Sequence, residues 1–344
     1  MKPEANSQFD GHEEVAFFED PALGVAGIIA IHSTILGPAA GGCRIWNYAR
    51  EEDALTDVLR LSRGMTYKNA MAELPLGGGK AVIYRMGPDR AACLEKFGEA
   101  VEALGGRYIT AEDVGASVAD MKTISTRTSF VTGIPKEAGQ AGGDPSPWTA
   151  LGVFLSIERL LGSVRSKRVT VQGVGAVGYG LVELLHEAGA KLIVSDVSAE
   201  RLDRAASLGA QIAPPERIHA VEADLFSPCA LGAGLNPDTI PELGAPIICG
   251  AANNQLLTEA DGTRLLARGI TYAPDYVVNA GGIINVSCEY LGRPVSEAEA
   301  RVRAIPDRLI LVLEEPRREG VPPHVAADRI VRRRIAEARA AKGA

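Results

Sequence analysis

Two apolar segments near the start of the chain predict a pair of strands. They are "EEVAFFEDP" (13–21) and "GVAGIIAIHS" (24–33), with a short turn between them. Residues 50–73 then carry apolar side chains at helical spacing behind an acidic start, which predicts a long helix. Three further segments predict a strand, a helix that ends in glycine, and a strand that runs into a loop: "AVIYR" (81–85), residues 90–106 and "RYITAEDVG" (107–115).

The second half of the chain alternates strand and helix patterns. A segment rich in glycine and proline (133–148) marks a boundary, and a helix is predicted directly after it at 149–162. Four strands are then predicted at 168–175, 191–196, 245–252 and 269–279, and three helices at 176–189, 199–209 and 324–343. Such alternation is typical of βαβ units around a parallel sheet, so we expect an α/β fold.

Composition and charge set the broad class of protein. The chain has 344 residues, which is long for one domain and predicts two. Hydrophobic residues make up 46% and charged residues 23%, close to the average for globular proteins. The net charge of −7 argues against a general nucleic-acid role.

Several other classes lack their sequence signals. The first residues contain no apolar segment of the kind found in signal peptides, and no apolar run approaches the ~20 residues that span a bilayer. The five cysteines form no CxxC pair, and the five histidines show no metal-binding spacing. We therefore expect a cytoplasmic protein with reduced thiols, no metal site and no membrane partner.

A glycine motif in the second half has the context of a dinucleotide-binding turn. Gly173, Gly175 and Gly178 form GxGxxG directly after an apolar strand and at the start of a helix. Gly173 would allow the tight turn, Gly175 the approach of a pyrophosphate to the helix N-terminus, and Gly178 close packing of helix on strand. Ala176 and Val177 complete the motif.

A carboxylate follows at the distance that this fold requires. Asp196 ends the next predicted strand, "KLIVSD", eighteen residues after Gly178. A carboxylate there accepts hydrogen bonds from the ribose hydroxyls of NAD and repels the 2′-phosphate of NADP. Arg201 is the nearest basic residue, so the sequence favours NAD over NADP.

The segment "GMTYKNAMAELPLGGGKAVI" (64–83) raises a second possibility for binding phosphate. It is not a Walker A loop, because Leu74 occupies the position of the first glycine and Ala81, rather than serine or threonine, follows Lys80. Three glycines between a helix and an apolar strand instead suggest backbone that is exposed to a small ligand. Lys68 and Lys80 on either side of them are candidates for substrate chemistry.

Eight motifs together resemble one enzyme family over essentially the whole chain. In order, they are "GPAAGGCR" (37–44), "GMTYKNA" (64–70), "LPLGGGKAVI" (74–83), "ITAEDVG" (109–115), "VTGIP" (131–135), "GDPSPWTALG" (143–152), "GAANNQL" (250–256) and "APDYVVNAGGIIN" (273–285). They look like the amino-acid dehydrogenases that include the glutamate, leucine, valine and phenylalanine enzymes, and the leucine branch is the most similar. The resemblance implies NAD-dependent, reversible oxidative deamination of an L-amino acid to its 2-oxo acid and ammonia, in a homo-oligomer such as a dimer or octamer.

The resemblance also implies roles for individual residues. Lys68, with the backbone of Gly41 and Gly42, would hold the substrate carboxylate, while Lys80 would be the catalytic base and Asp113 would exchange protons with the substrate nitrogen. The base must be neutral to act, which burial and a neighbouring cation such as Lys68 favour. The residues implied at the nicotinamide end of the cofactor are Thr132, Thr149, Ala251, Asn253 and Asn279.

The side chain of the substrate is only partly defined by the sequence. Glutamate dehydrogenases usually carry a lysine at the position of Ala40, so an acidic substrate would lack a charge partner here. The other expected lining positions are apolar: Met65, Ala111, Ile283 and Val286. Ala40 is smaller than the leucine usual in leucine dehydrogenases, and Ile283 is larger than their usual valine. Leucine, valine or isoleucine is the first expectation, and phenylalanine or tryptophan the alternative.

Two other functions remain as alternatives at this point. A 2-hydroxy-acid dehydrogenase would usually need a histidine base, and no histidine here lies in a glycine-rich or acidic cleft motif. A non-enzymatic NAD-binding regulator would have no need of Lys68, Lys80 and Asp113 together. We expect a substrate-binding and oligomerisation domain at 1–135, joined by a C-terminal helix at 321–344, a Rossmann domain at 140–320, and a cleft between them that closes during catalysis.

Overall fold

The computed structural model describes residues 2–230 and 232–343, and only the backbone of residues 315–318. The chain divides into two compact units. Unit 1 contains Met1–Asp144, Ile283–Ala298 and Val331–Ala344, and unit 2 contains Pro145–Gly282 and Glu299–Ile330. Among the described residues, no helix is both long and apolar enough to cross a membrane.

Unit 1 is built on a mixed six-stranded sheet in the order β1-β2-β5-β3-β6, with β4 also paired to β5. The strands are β1 (Glu14–Asp20), β2 (Val25–Ser33), β3 (Ala39–Ala40), β4 (Cys43–Ile45), β5 (Gly77–Arg85) and β6 (Tyr108–Ile109). The strands β1, β2 and β5 are antiparallel neighbours, while β3 and β4 pair with β5 in parallel. Strand β5 is thus the central element, and it carries Lys80.

Three helices accompany this sheet: α1 (Glu51–Met71), α2 (Arg90–Ala103) and α3 (Val118–Ile124). Helix α1 begins with three acidic residues, which favour a helix N-terminus, and it buries Leu55, Val58 and Leu59 at helical spacing. Those side chains pack against Ile28 of β2 and Val82 of β5. The packing holds α1, and therefore Lys68 near its end, against the strand that carries Lys80.

The structure corrects the expectation that the three glycines before Lys80 expose backbone to a small ligand. They belong to β5 and are buried, so they are not backbone exposed to a ligand. A Cβ atom at Gly77 would overlap Ser33 O, and one at Gly78 would overlap the backbone N and Oγ1 of Thr66. The glycines are there because β2 and α1 approach this end of β5 too closely for any side chain.

Unit 2 contains an all-parallel six-stranded sheet in the order β12-β11-β10-β7-β8-β9. Counted from β7, this is the 3-2-1-4-5-6 order of a Rossmann sheet. Its strands are β7 (Arg168–Gln172), β8 (Lys191–Ser195), β9 (Gln211–Ile212), β10 (Leu225–Pro228), β11 (Ile247–Ile248) and β12 (Thr271–Tyr272). The predicted α/β class with a parallel sheet is therefore confirmed.

The helices of the second half follow one another along the chain. They are α4 (Ser146–Leu161), α5 (Ala176–Glu187), α6 (Ala199–Ser207), α7 (Glu259–Ala267), α8 (Asp275–Val278), α9 (Gly281–Tyr290), α10 (Val295–Arg303), α11 (Ile305–Glu319) and α12 (Pro323–Gly343). Most of α9, the start of α10 and the end of α12 group with unit 1. Short 3-10 turns occur at Pro3–Ala5, Ile218–Ala220 and Ile240–Glu242.

Two predicted strands are shorter than the sequence indicated. The expected strand at 269–279 ends at Tyr272, because Pro274 cannot donate a ladder hydrogen bond and instead precedes the helix α8. The expected strand at 245–252 is reduced to Ile247–Ile248.

The boundaries of the two units differ from those predicted. Residues 283–298 were expected in the Rossmann domain, but they group with unit 1. In the C-terminal segment, residues up to Ile330 group with unit 2 and only those from Val331 group with unit 1, while Ala344 lies outside the described residues. One cause is Glu289 of α9, whose carboxylate accepts hydrogen bonds from the backbone N–H groups of Gly133 and Ile134 and so ties α9 to unit 1.

Candidate active site

The centre of the site in unit 1 is an ion pair between Lys80 and Asp113. Lys80 Nζ lies 3.0 Å from Asp113 Oδ2, although the two residues come from β5 and from the loop after β6. Only 7% of the Lys80 side chain and 17% of the Asp113 side chain are exposed. The structure thus brings together the two residues that were expected to perform proton transfer.

A second cation holds the same carboxylate. Arg44 of β4 donates from Nε to Asp113 Oδ2 at 3.0 Å. Burial alone would raise the pKa of Asp113, but the charges of Lys80 and Arg44 outweigh that effect and lower its pKa below the usual range. Asp113 is therefore ionised at neutral pH.

The paired glycines allow the backbone to approach Asp113 closely. A Cβ atom at Gly42 would overlap Glu112 O and lie 2.9 Å from Asp113 Cβ, while one at Gly41 would overlap Gly79 O. The Gly41 N–H donates to Ile109 O at 3.2 Å, and the Gly41 carbonyl accepts from Tyr108 Oη at 2.6 Å. Gly41 is thus largely engaged within the sheet.

Lys68 and Met65 both belong to the last two turns of α1 and are half-buried. Asn69, next to Lys68, is fully buried and donates from Nδ2 to Gly77 O at 2.5 Å, which fixes the end of the helix on β5. Met65 Cγ lies 3.0 Å from the position of a Cβ at Gly41. These contacts place Met65 beside the paired glycines.

The expected side-chain positions are apolar and belong to one unit. Ala40 of β3 and Ala111 beyond β6 are buried, as are Ile283 and Val286 of α9. All four belong to unit 1, together with Lys68 and Lys80. Because residues 283–298 group with unit 1, Ile283 and Val286 belong to the same unit as the other residues that were expected to bind the substrate.

Glu112 is an acidic neighbour that the sequence did not single out. Burial, with the charges of Asp144, Asp120 and Glu289, raises its pKa from 4.5 to about 6. One of its oxygens, Oε1, is buried without a hydrogen-bond partner. Glu112 therefore differs from Asp113, because its charged neighbours with the largest effect are acids rather than cations.

The glycine motif of unit 2 has the geometry of a dinucleotide-binding turn. Gly173 has φ +90°, which favours glycine, and a Cβ at Gly178 would overlap Gly173 O. A Cβ at Gly175 would meet only the tip of Arg201, at 3.9 Å, so the backbone there is open. Helix α5 begins at the next residue, and its free N–H groups are suited to a pyrophosphate.

Asp196 follows β8 and lies against the glycine turn. Its carboxylate accepts from Val174 N–H at 2.8 Å and from Ser198 N–H at 2.9 Å, and Arg201 Nη1 lies 3.7 Å away. Each carboxylate oxygen has further lone pairs for ribose hydroxyls. The turn, the open backbone at Gly175 and Asp196 together fit an adenine dinucleotide.

The residues expected near nicotinamide form a second cluster in unit 2. Asn279 Nδ2 donates to Ala251 O at 3.0 Å and to Asn253 Oδ1 at 2.9 Å. Asn279 Oδ1 is a buried acceptor without a partner, which fits a site that receives an amide donor. Thr149 Oγ1 donates to Pro145 O at 3.3 Å in the same unit.

Thr132 is placed differently from the other cofactor candidates. It belongs to unit 1, is 2% exposed, and donates from Oγ1 to Thr110 O at 3.1 Å.

In the described part of the chain, no group of three or more histidine, cysteine or acidic side chains is arranged to hold a metal ion.

The fold and the two sites define an α/β dehydrogenase with a Rossmann-like unit, which indicates a nicotinamide cofactor. Two family models match the chain. Residues 12–130 match "Glu/Leu/Phe/Val dehydrogenase, dimerisation domain" and residues 194–343 match "Glutamate/Leucine/Phenylalanine/Valine dehydrogenase".

Relatives cover almost the full length. A leucine dehydrogenase from Thermoactinomyces intermedius is 47% identical, covering 94% of this chain and 91% of the relative. A valine dehydrogenase from Streptomyces virginiae is 46% identical, covering 97% and 96%. The crystal structure of L-tryptophan dehydrogenase from Nostoc punctiforme has a TM-score of 0.79 at 43% identity, covering 96% and 97%. The chain therefore belongs to the Glu/Leu/Phe/Val dehydrogenase family, an oxidoreductase family that acts on amino acids.

Proposed function

We propose that this chain catalyses the NAD-dependent, reversible oxidative deamination of an apolar L-amino acid to its 2-oxo acid and ammonia. The observation that carries the proposal is the Lys80–Asp113 pair, 3.0 Å apart in unit 1 of a member of an amino-acid dehydrogenase family. Leucine, valine or isoleucine is the proposed substrate, because leucine and valine dehydrogenases are among the relatives.

Lys68 and the Gly42 N–H bind the α-carboxylate of the substrate. Lys68 is a half-buried cation near the end of α1, and a carboxylate in such a place is held by charge and by hydrogen bonds. The Gly41 N–H already donates to Ile109 O, so Gly41 contributes mainly through the close approach that it allows. This binding fixes the orientation of Cα for hydride transfer.

Lys80 and Asp113 move the protons of the reaction. A nicotinamide ring held near Asn253 and Asn279 would supply the acceptor for the hydride that leaves Cα. Lys80 then takes a proton from the water that adds to the imine carbon, and Asp113 exchanges protons with the substrate nitrogen. Their separation of 3.0 Å is short enough for direct transfer of a proton between the two side chains.

The cofactor is NAD, held by unit 2. Asp196 presents a carboxylate where the adenosine ribose binds in this fold, and a 2′-phosphate would be repelled there. Arg201 Nη1 lies 3.7 Å from the Asp196 carboxylate, so the charge of Arg201 is already partly neutralised. Asn253 and Asn279 orient the nicotinamide carboxamide, and Ala251 and Thr149 of the same unit contribute to the same end.

The side-chain positions support an apolar substrate. Ala40, Met65, Ala111, Ile283 and Val286 offer no charge, so the second carboxylate of glutamate would be buried without a partner at a cost of several kcal/mol. An aromatic amino acid is the alternative. It is favoured by the small side chain of Ala40 and by the similarity to an L-tryptophan dehydrogenase.

The protein acts as a homo-oligomer in the cytoplasm. The family model that matches residues 12–130 is described as a dimerisation domain, and a dimer or octamer is proposed. Four of the five cysteines are buried and all five are far apart in the sequence, which fits a reducing compartment. Light scattering of the purified protein tests the subunit number.

The proposed reaction is tested by its need for ammonia. NADH oxidation is followed with 4-methyl-2-oxopentanoate in the presence and absence of ammonium, and we expect turnover only when both are present. Equal NADH oxidation without ammonium would indicate reduction to a 2-hydroxy acid instead. NADH binding without turnover of any 2-oxo acid would favour the regulator.

A further inference from the structure

Arg44 links the Lys80–Asp113 pair to a second carboxylate. Its guanidinium donates from Nε to Asp113 Oδ2 at 3.0 Å and from Nη1 to Asp57 Oδ2 at 2.8 Å. The Arg44 side chain is 20% exposed and the Asp57 side chain 13%. One planar group thus bridges two acids, an arrangement that lysine cannot reproduce.

Asp57 is itself fixed from the other side. Tyr48 donates from Oη to Asp57 Oδ2 at 2.6 Å, and Arg60 donates from Nη2 to Asp57 Oδ1 at 3.0 Å. Asp57 and Arg60 lie on α1, the same helix that carries Lys68. The guanidinium of Arg44 therefore has a fixed anchor on α1, and its Nε–H points at Asp113.

In the part of the chain that the structure describes, two cations face Asp113. Lys80 approaches from β5 and Arg44 from β4, and both stabilise its ionised form. The other titratable neighbours are Cys43 of β4 and Tyr108 of β6, whose pKa values are raised, chiefly by burial, so that both stay neutral. When Lys80 is neutral, Arg44 thus still holds the Asp113 carboxylate.

We propose that Arg44 is the positioning residue that keeps Asp113 ionised and aimed at Lys80 through the catalytic cycle, with Asp57 and Tyr48 as its anchor. The inference rests on the proposed function, because it concerns the same proton-transfer pair. It explains how Lys80 can lose its proton without leaving a buried carboxylate unpaired. A buried unpaired charge is costly, so without Arg44 the neutral state of Lys80 would be disfavoured.

The main test compares Arg44→Gln with a matched arginine that does not touch Asp113. Arg44→Gln removes the charge beside Asp113, so we expect the acid limb of the kcat–pH profile to move to higher pH by about one unit or more. We also expect kcat to fall at least ~10-fold, while KM for NADH stays unchanged. Arg127, which is half exposed and pairs with Glu95 at 2.6 Å, provides the control, and Arg127→Gln should leave both the limb and kcat within about twofold of wild type.

Arg44→Lys separates charge from geometry. It keeps a cation near Asp113 but cannot bridge both acids, so we expect the acid limb to return close to its wild-type position while kcat remains reduced. If Arg44→Gln fails to fold, Arg44→Lys still tests the proposal, because a full wild-type kcat in Arg44→Lys would overturn the positioning role. A folded Arg44→Gln protein with the wild-type acid limb would overturn the inference outright.

A second readout needs no turnover. The Asp113 carboxyl is titrated by ¹³C NMR with labelled aspartate, and its signal is assigned by its loss in Asp113→Asn. Arg44→Gln should raise the measured pKa of this carboxyl, and an unchanged value would overturn the inference. If the wild-type protein aminates no 2-oxo acid, the proposed function fails, and this titration alone then decides the electrostatic role of Arg44.

Discussion

Asp113 and Glu112 are adjacent carboxyls with opposite electrostatic surroundings. Asp113 lies between Lys80 and Arg44, which lower its pKa against the effect of burial. Glu112 faces other acids, and its pKa rises to about 6. The sequence identified Lys80 and Asp113 through family motifs. It did not identify Arg44 and Asp57 as partners, because 69 positions separate Arg44 from Asp113 and no local pattern records such a contact.

The two lysines are expected to give different kinetic defects. Lys80→Ala should lower kcat by at least about 10²-fold, because it removes the proton acceptor, while Arg44 still holds Asp113 and preserves the fold. Lys68→Ala should instead raise KM for the 2-oxo acid at least ~10-fold, since it removes the carboxylate ligand. Lys96→Ala, on α2, serves as the control. An unchanged kcat in Lys80→Ala would reject its role as base.

Glu112 gives a prediction about stability and pH. Its pKa is raised in the folded chain from 4.5 to about 6, so its ionised form destabilises the fold above that range. Glu112→Gln should therefore stabilise the protein at neutral pH by roughly 1 kcal/mol, after allowance for solvent screening. The gain in stability should disappear below the usual glutamate pKa, where Glu112 is protonated in both the folded and the unfolded chain.

Thermal unfolding at neutral pH and at a pH below the usual glutamate pKa measures the difference in stability between Glu112→Gln and wild type. Glu102→Gln, at an exposed position on α2, should leave the melting temperature unchanged at both. A Glu112→Gln protein that is less stable than wild type at neutral pH would contradict the assignment of an uncompensated charge to Glu112.

At the element scale, contact between α1 and β5 determines where the two lysines lie. The sequence correctly predicted α1 from its periodicity and β5 from its apolar run. It placed the start of β5 four residues too late, because glycines have low strand propensity and their role is close packing. The short strands β11 and β12 were overestimated for a related reason. Tertiary pairing, rather than an apolar run, determines how far a strand extends.

Two glycine substitutions test the close packing. Gly78→Ala would force a methyl group into the backbone of Thr66, so we expect a loss of at least about 3 kcal/mol in the free energy of unfolding. Gly64 lies in α1, and an added Cβ there would have no heavy atom within 4 Å. Gly64→Ala should therefore raise the free energy of unfolding by up to about 1 kcal/mol. Denaturant unfolding compares the two, and equal stabilities would refute the packing argument.

The prediction about cofactor choice concerns Asp196, which directly follows β8. Asp196→Asn removes the charge that opposes a 2′-phosphate but keeps an acceptor for the glycine turn. The ratio of kcat/KM for NADH over NADPH should fall by about tenfold or more, which corresponds to roughly 1.4 kcal/mol. Asp203→Ala, an exposed site on α6, should leave the ratio unchanged. An unaltered ratio in Asp196→Asn would count against the ribose assignment.

At the scale of the whole molecule, each unit is assembled from separate parts of the chain. The sequence predicted two domains, the parallel sheet and the family, because strand–helix alternation and ordered motifs are local features. It assigned residues 283–298 to the Rossmann domain, whereas they group with unit 1 through long-range contacts such as Glu289 with Gly133, 156 positions apart. The same grouping brings Ile283 and Val286, the two proposed side-chain positions from α9, into the unit that holds Lys80 and Asp113.

The most direct test of the central claim is the substrate profile in reductive amination. NADH oxidation with ammonium is measured for 4-methyl-2-oxopentanoate, 3-methyl-2-oxobutanoate, phenylpyruvate, indolepyruvate and 2-oxoglutarate. We predict the highest kcat/KM for one of the two branched aliphatic acids, at least about 10²-fold above 2-oxoglutarate, because the second carboxylate would lack a partner. A higher kcat/KM for phenylpyruvate or indolepyruvate would support the aromatic alternative. The highest kcat/KM for 2-oxoglutarate would contradict the proposed apolar site.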